Sequence, residues 1–189
     1  MKTALIIHGM PSRHEYLDPK EPSPSNHHWL PWIQKQLILK DYIAQAPEMP
    51  EAYAPRWRSW HREFERFELN RASLLIGHSC GAGFLLRCLS ENSDLQIDKL
   101  ALVAPWIDPE RKSTEDFFEF KIDKNLANRC RKIILFNSDN DAAGIQESVR
   151  LIRTSIEAIE YREFHNYGHF CKSDLGGEEF PELLKELLD

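Results

Sequence analysis

The sequence lacks the segments that mark a membrane protein or a nucleic-acid-binding protein. No apolar run approaches the roughly 18 residues needed to cross a bilayer, and the only apolar stretch near the N-terminus, residues 4–7, is too short for a secretion signal. The formal net charge is −6 at pH 7, so there is no excess of basic residues to attract phosphate groups. We therefore expect neither a membrane nor a nucleic acid as a partner.

Cysteine is also scarce, with 4 in the chain, and their spacing is not typical of a metal site. A chain of 189 residues can bury its own core, and disulfides are therefore not needed for stability. Hydrophobic residues make up 42% and charged residues 29%, as in ordinary globular domains. We expect one domain over residues 1–189, reduced thiols, a cytoplasmic location, and no metal or other cofactor.

Short apolar runs alternate with amphipathic helical patterns along the chain. This alternation predicts an α/β fold in which a mostly parallel central sheet is covered by helices on both faces, as a three-layer sandwich. The ligand site of such a fold lies at the carboxyl ends of the strands. The predicted strands cover residues 2–8, 42–44, 74–76, 100–104, 133–136 and 158–164, and the main predicted helices cover 26–37, 56–69, 84–89, 144–156 and 178–188.

Two segments interrupt this alternation. Residues 10–25 form a polar, proline-rich loop that is long for a strand-to-helix connection, and long ordered loops are often functional. Asn26 follows this loop and is the predicted N-cap of the next helix. Residues 106–130 are charged and aromatic, and they predict one or two short helices that form a small cap or crossover.

One stretch, residues 72–83, joins a strand, a tight turn and a helix. Its central Gly-His-Ser-Cys-Gly follows a buried strand and precedes a helical pattern, which is typical of a nucleophile elbow. Side chains at Gly77 or Gly81 would crowd the turn that exposes the hydroxyl of Ser79. The alternative is a glycine-rich turn with a small buried serine. We predict that Ser79 is a nucleophile.

A serine nucleophile needs a base to take its proton and an acid to orient that base. The order along an elbow-containing chain is Ser, then Asp or Glu, then His. Asp139 and Asp141 follow the fifth predicted strand, and His165 and His169 follow the sixth. All four side chains are therefore expected at the same edge of the sheet as Ser79.

The remaining parts of a hydrolytic site can be assigned by position. The amide of Cys80, directly after the nucleophile, and that of Met10, in the first strand-to-helix loop, are the predicted oxyanion hole. His8, Trp106 and Phe170 follow or end predicted strands and are candidates for a substrate pocket. Aromatic residues in such places are more often part of the core.

Three other functions for some of these residues are less consistent with the sequence: a cysteine nucleophile, a zinc site and a calcium-binding loop. Cys80 as nucleophile would lie one place past the apex of the turn. His165 and His169 have the i, i+4 spacing of helical zinc ligands, but they follow a strand, with a glycine between them and no glutamate after the first. Residues 139–141 resemble the start of a calcium loop, but Arg150 stands where the closing glutamate belongs.

Eight short stretches match the pattern of one family, at residues 5–9, 26–33, 46–50, 57–60, 76–81, 103–105, 138–141 and 168–170. The chain resembles the retinoblastoma-binding-protein-9-like group of small serine hydrolases, which have the α/β-hydrolase fold. The Trp-x-x-Trp after Asn26 and the Pro-x-Met-Pro at 47–50 are more diagnostic than the elbow. The resemblance implies Ser79 as nucleophile, His169 as base and Asp141, rather than Asp139, as acid.

Two departures from the group's pattern concern the site. Residues 142–145 replace the apolar residue and proline that usually follow the catalytic acid, and the loop 10–25 is longer than usual. The predicted reaction is acyl transfer from a small carboxylic ester to the serine, followed by hydrolysis of the acyl-enzyme. Thioester or amide cleavage uses the same triad and remains an alternative. A second alternative is not an enzyme at all, but a non-catalytic protein-binding module with the same fold.

Overall fold

A computed structural model describes all residues from Met1 to Asp189 and contains one sheet of six parallel strands. The order across the sheet is β2-β1-β3-β4-β5-β6, so the direction of progression reverses between β1 and β3. Ligands bind at such a reversal, beside the carboxyl ends of the strands. The predicted α/β fold is confirmed. The strands are β1 Thr3–Ile7, β2 Ile43–Gln45, β3 Ser73–His78, β4 Ile97–Val103, β5 Cys130–Ser138 and β6 Glu160–Phe164.

Helices cover both faces of this sheet. The connections from β1 to β2 and from β3 to β4 run in opposite directions across the sheet. Because crossovers between parallel strands are right-handed in nearly all proteins, α2 and α4 lie on opposite faces. Trp60 of α3 packs on Phe84 of α4 with ring centroids 5.3 Å apart, while Trp29 and Phe180, which precede α2 and α7, pack at 5.8 Å. None of the helices is long and apolar enough to span a bilayer. The helices are α1 Arg13–Leu17, α2 Leu30–Ile38, α3 Trp57–Phe64, α4 Cys80–Glu91, α5 Ala143–Ser155, α6 Lys172–Leu175 and α7 Pro181–Leu188.

Three local predictions were wrong, and the first is that residues 10–25 are loop, because they include α1. Asn26 does not cap α2, because it lies in a 3-10 turn, Pro24–Asn26, and Trp29 is the N-cap residue. Residues 106–130 contain no α-helix and only one 3-10 turn, Leu126–Asn128. The carboxylate of Asp108 accepts hydrogen bonds from the amides of residues 112–114, which offers this backbone an alternative to helix formation.

The crossover from β4 to β5 is nevertheless well anchored. The guanidinium of Arg87 in α4 donates to the carbonyl oxygens of Asp116 and Phe117 at 2.5 and 2.8 Å. The same guanidinium lies 3.8 Å from the ring centroid of Trp57. One charged side chain thus connects the crossover to two helices on this face of the sheet.

A charged network fastens α7 to the other face. Lys99 in β4 is 1% exposed, and its ammonium donates to the carbonyl oxygens of Glu186 and Leu187 at 2.9 and 2.8 Å. Cations at the C-terminal end of a helix satisfy its free carbonyl groups and favour the helix dipole. The carboxylate of Glu186 in turn accepts from Arg162 and Lys132 at 2.6 and 2.9 Å. Three neighbouring strands therefore hold the C-terminal helix.

Replacing Glu186 by Gln is expected to lower the free energy of unfolding at pH 7 by ~1–2 kcal/mol, a value reduced for partial hydration of the carboxylate. Hydrogen bonds from Arg162 and Lys132 lower the pKa of Glu186 from 4.5 to about 2. A carboxyl whose folded pKa is lowered stabilises the protein above its unfolded pKa, and this contribution disappears as pH falls toward the folded value. Urea unfolding should show the difference shrinking between pH 4.5 and 2. The exposed Glu157→Gln is the control, and equal losses in both variants would contradict the prediction.

Candidate active site

Ser79 occupies the turn between β3 and α4 in a strained backbone conformation, with φ 54° and ψ −119°. Its amide donates to the carbonyl oxygen of Val103 at 2.9 Å, and its own carbonyl accepts from the amides of Gly83 and Trp106 at 3.2 and 3.1 Å. These bonds to β4, to α4 and to the following crossover hold the strained residue in place. The position of the Ser79 side chain is therefore fixed by hydrogen bonds of its own backbone.

The two glycines of the turn are required by close packing. A Cβ atom on Gly77 would lie 2.5 Å from the Cα of Ala82, and a Cβ on Gly81 would overlap the carbonyl oxygens of Ile7 and His8. Backbone atoms in a central strand cannot move aside, so any side chain at Gly81 would push α4 off the sheet. The sequence analysis predicted that side chains at these two positions would crowd the turn, and the structure agrees. The missing side chains allow the start of α4 to pack against the end of β1.

An aspartate and a histidine form a hydrogen-bonded pair beyond the ends of β5 and β6. The Nδ1 of His169 donates to the Oδ2 of Asp141 at 2.8 Å, with side chains 31% and 3% exposed. The other two candidates pair with each other, because the Nδ1 of His165 donates to Asp139 at 2.7 Å on the surface. Asp139 is therefore occupied elsewhere. The segment 139–142 is called the acid loop, and the segment 165–171 the base loop.

Two polar side chains that the sequence analysis did not single out hold these loops together. The hydroxyl of Ser138 accepts from the amide of Tyr167 at 2.8 Å and donates to Asn140 at 2.7 Å. The Oδ1 of Asn140 accepts in addition from the amide of Gly168 at 2.9 Å. Ser138 and Asn140 alternate with the two aspartates, and this run of four polar residues after a buried strand is the signal that could have revealed them.

A cavity of about 180 Å³ lies where the sheet reverses, and both Ser79 and His169 line it. The serine hydroxyl and the imidazole face this space without a direct hydrogen bond. Catalytic hydrogen bonds are often long before substrate binds, so the arrangement is compatible with proton transfer. The long loop supplies one wall, and the further lining residues include Glu15, Tyr16, Glu21, Pro22, His27 and His28.

Of the two residues whose amides are predicted to form the oxyanion hole, Met10 lines this cavity and Cys80 follows Ser79, which also lines it. Cys80 is the first residue of α4, where amide groups have no acceptor within the helix. The side chain of Cys80 is fully buried, and burial raises the pKa of its thiol. The Cys80 thiol is therefore directed into the core, away from the cavity that the Ser79 hydroxyl reaches.

The predicted pocket residues are divided between cavity and core. His8 lines the cavity, whereas Trp106 and Phe170 do not. Phe170 is fully buried and stacks on Phe180 with ring centroids 5.5 Å apart. Trp106 packs edge-on against Phe118 at 5.6 Å. The structure thus corrects the pocket assignment of Trp106 and Phe170, whose aromatic surface is used in packing.

His8 connects the end of β1 to the segment before α3. Its Nδ1 donates to the carbonyl oxygen of Gly9 at 2.8 Å, and its Nε2 accepts from the amide of Met49 at 2.9 Å. Burial lowers the pKa of His8, in agreement with a neutral ring that both donates and accepts. His8 therefore fixes the start of the loop that carries Met10, and the Pro-x-Met-Pro stretch is its partner.

Comparison with known proteins gives a family and a fold. A family model described as serine hydrolase matches residues 21–188. The ydeN gene product from B. subtilis is 23% identical, with a TM-score of 0.82 over 100% of this chain and 97% of that one. A YdeN-like hydrolase from Pectobacterium atrosepticum is 18% identical, with a TM-score of 0.62 over 98% and 89%. An esterase domain from Rhodothermus marinus is 14% identical, with a TM-score of 0.65 over 98% and 85%. A search of curated proteins found no significant match.

Proposed function

The chain belongs to the serine hydrolase family, and on that premise we propose that it cleaves small carboxylic esters with Ser79, His169 and Asp141. The observation that carries the proposal is the His169–Asp141 hydrogen bond of 2.8 Å at the cavity that Ser79 lines. An ester is favoured over a thioester or an amide because one of the similar structures is an esterase domain. The strained elbow supports the nucleophile assignment.

The proposed mechanism has two half-reactions, acylation of Ser79 and hydrolysis of the acyl-enzyme. The Oγ of Ser79 attacks the acyl carbonyl carbon while the Nε2 of His169 takes the hydroxyl proton and then gives it to the leaving alcohol. Asp141 accepts a hydrogen bond from the Nδ1–H group of His169, which keeps that proton on Nδ1 and leaves Nε2 free to act as the base. The amides of Cys80 and Met10 donate to the oxyanion. In the second half-reaction, His169 takes a proton from water as the water attacks the acyl carbon, and it returns that proton to the Oγ of Ser79 as the carboxylic acid leaves.

Labelling with a fluorophosphonate probe tests the nucleophile. The probe is expected to modify one residue per chain, because only an activated serine reacts. Trypsin releases residues 72–87 as one peptide, which contains Ser73 and Ser79 as its only serines. Fragmentation should place the label on Ser79, while Ser73, which is fully buried, is the internal control. Absence of labelling would favour the non-catalytic binding module.

The size of the cavity predicts a preference for short acyl groups. A volume of about 180 Å³ is below the range of ordinary ligand pockets and suits an acetyl or butyryl group. We expect kcat/KM for p-nitrophenyl acetate and butyrate to exceed that for the octanoate by roughly tenfold or more. Activity that rises steadily with chain length would contradict the prediction. Matched thioesters and aminoacyl anilides in the same panel would separate the alternative reactions.

We also propose that the chain lies in the retinoblastoma-binding-protein-9-like group of this family. The stretches 138–141 and 168–170 that carry the resemblance contain the paired acid and base. The Pro-x-Met-Pro stretch contacts His8. The proposed partner is a small acyl substrate, without nucleic acid or membrane. All four cysteines are unpaired and three are buried, which suits the proposed cytoplasmic location.

A further inference from the structure

His78, directly before the nucleophile, takes no part in the proposed reaction, yet it is buried at the centre of the site. Only 3% of its surface is exposed. Its Nε2 donates to the carbonyl oxygen of His169 at 2.8 Å. Its ring lies 5.0 Å from the ring of His169 and 5.7 Å from that of Trp29, centroid to centroid. The residue next to the nucleophile thus holds the backbone of the base, 91 positions away in sequence.

His28 holds the backbone three residues after His169, at the start of α6. Its Nδ1 accepts from the amide of Lys172 at 3.2 Å, and its ring centroid lies 5.7 Å from that of His78. Burial lowers the pKa of His28 to about 4, so its ring is neutral and able to accept at neutral pH. His28 belongs to the segment between the long loop and α2. That segment therefore reaches the base as well as forming a wall of the cavity.

We propose that His78 and His28 are positioning residues that form a clamp on the backbone, at the carbonyl of His169 and at the amide of Lys172, and so direct the imidazole of His169 toward Ser79. This inference rests on the proposed function. The hydrogen bond from Nδ1 of His169 to Asp141 orients the imidazole ring. That bond does not set the distance between the ring and the hydroxyl of Ser79. The clamp supplies that constraint, because one of its members belongs to the nucleophile strand itself. A displacement of about 1 Å at a reacting group can cost 10²-fold in rate.

A neutral imidazole suits the position of His78. Its partner His169 becomes positively charged when it takes the proton of Ser79, and a second cation about 5 Å away would oppose that step. Burial lowers the pKa of His78 well below its usual value, which keeps the ring uncharged. His78 therefore donates a hydrogen bond to the base loop without adding a competing charge.

Two substitutions at His78 separate positioning from packing. His78→Leu removes the N–H donor at similar volume, while His78→Gln keeps a donor that can reach the His169 carbonyl. We expect kcat for p-nitrophenyl acetate to fall roughly 10- to 100-fold in His78→Leu with KM within about twofold, and to recover mostly in His78→Gln. The fluorophosphonate labelling rate should follow kcat. His61→Leu on α3, outside the cavity, is the matched control and should leave kcat unchanged.

A spectroscopic measurement reports the base directly. In protein with ¹⁵N-labelled histidine, the Nδ1–H signal of His169 should shift or broaden in His78→Leu and not in His78→Gln. His28→Leu, at a partly exposed position, should reproduce the smaller kcat and the altered signal if His78→Leu fails to fold. Equal kcat in wild type and both His78→Leu and His28→Leu would overturn the clamp, as would equal losses in His78→Leu and His78→Gln. Full activity of a Ser79→Ala variant would instead overturn the proposed function.

Discussion

Replacing Ser79 by Ala is expected to lower kcat for p-nitrophenyl acetate by at least ~10⁴-fold and to abolish fluorophosphonate labelling. The reason is that no acyl-enzyme can form without the hydroxyl. The fold should be unaffected, because the backbone amide and carbonyl of Ser79, not its side chain, make the bonds that hold the turn. Thermal unfolding of the variant checks this point. Labelling that persists in Ser79→Ala and disappears in Cys80→Ala would identify the thiol as nucleophile instead.

Replacing Asp141 by Asn is expected to lower kcat by roughly 10³- to 10⁴-fold. The amide would favour the imidazole tautomer with the proton on Nε2, which cannot accept the proton of Ser79. The loss should appear in kcat and kcat/KM together, because the Asp141–His169 bond matters most when the imidazole is charged. The measurement is steady-state hydrolysis of p-nitrophenyl acetate by the variant and the wild type at one fixed pH.

Asp139→Asn is the matched control for this prediction. Asp139 lies two positions away in the same loop, carries the same functional group and pairs with His165 on the surface. We expect its kcat to stay within about threefold of wild type, because exposed pairs contribute little. A large loss in Asp139→Asn together with a small loss in Asp141→Asn would exchange the two roles and refute the assigned triad.

The sequence predicted the fold and the edge of the sheet at which the candidate residues lie, because the order of these residues follows the order of the strands. Ser79 and the two Asp–His candidates all follow buried strands, and parallel strands bring such positions to one edge. The hydrophobic periodicity of the sequence does not show which aspartate pairs with His169. Asp141 meets His169 because Ser138 and Asn140 bind the amides of the base loop in one register.

The errors have local physical causes. Phe170 was a candidate for the pocket, but its backbone has φ 56°, a turn that sends the ring back into the core. Residues 10–25 were predicted to be loop, although Ser12 and Glu15 form a capping box that opens α1. That Ser-x-x-Glu signal was visible in the sequence, whereas the conformation of Phe170 was not.

The proposed base, His169, follows an edge strand of the sheet that is only partly buried. β6 lies at the outer edge and has no fully buried residue, while Ser79 follows the central strand β3, which is buried throughout. Segments with such low burial open locally more often than the whole molecule unfolds. On the proposed function, we therefore expect the half-life of activity at raised temperature to depend on local opening of this C-terminal edge while the interior is still native.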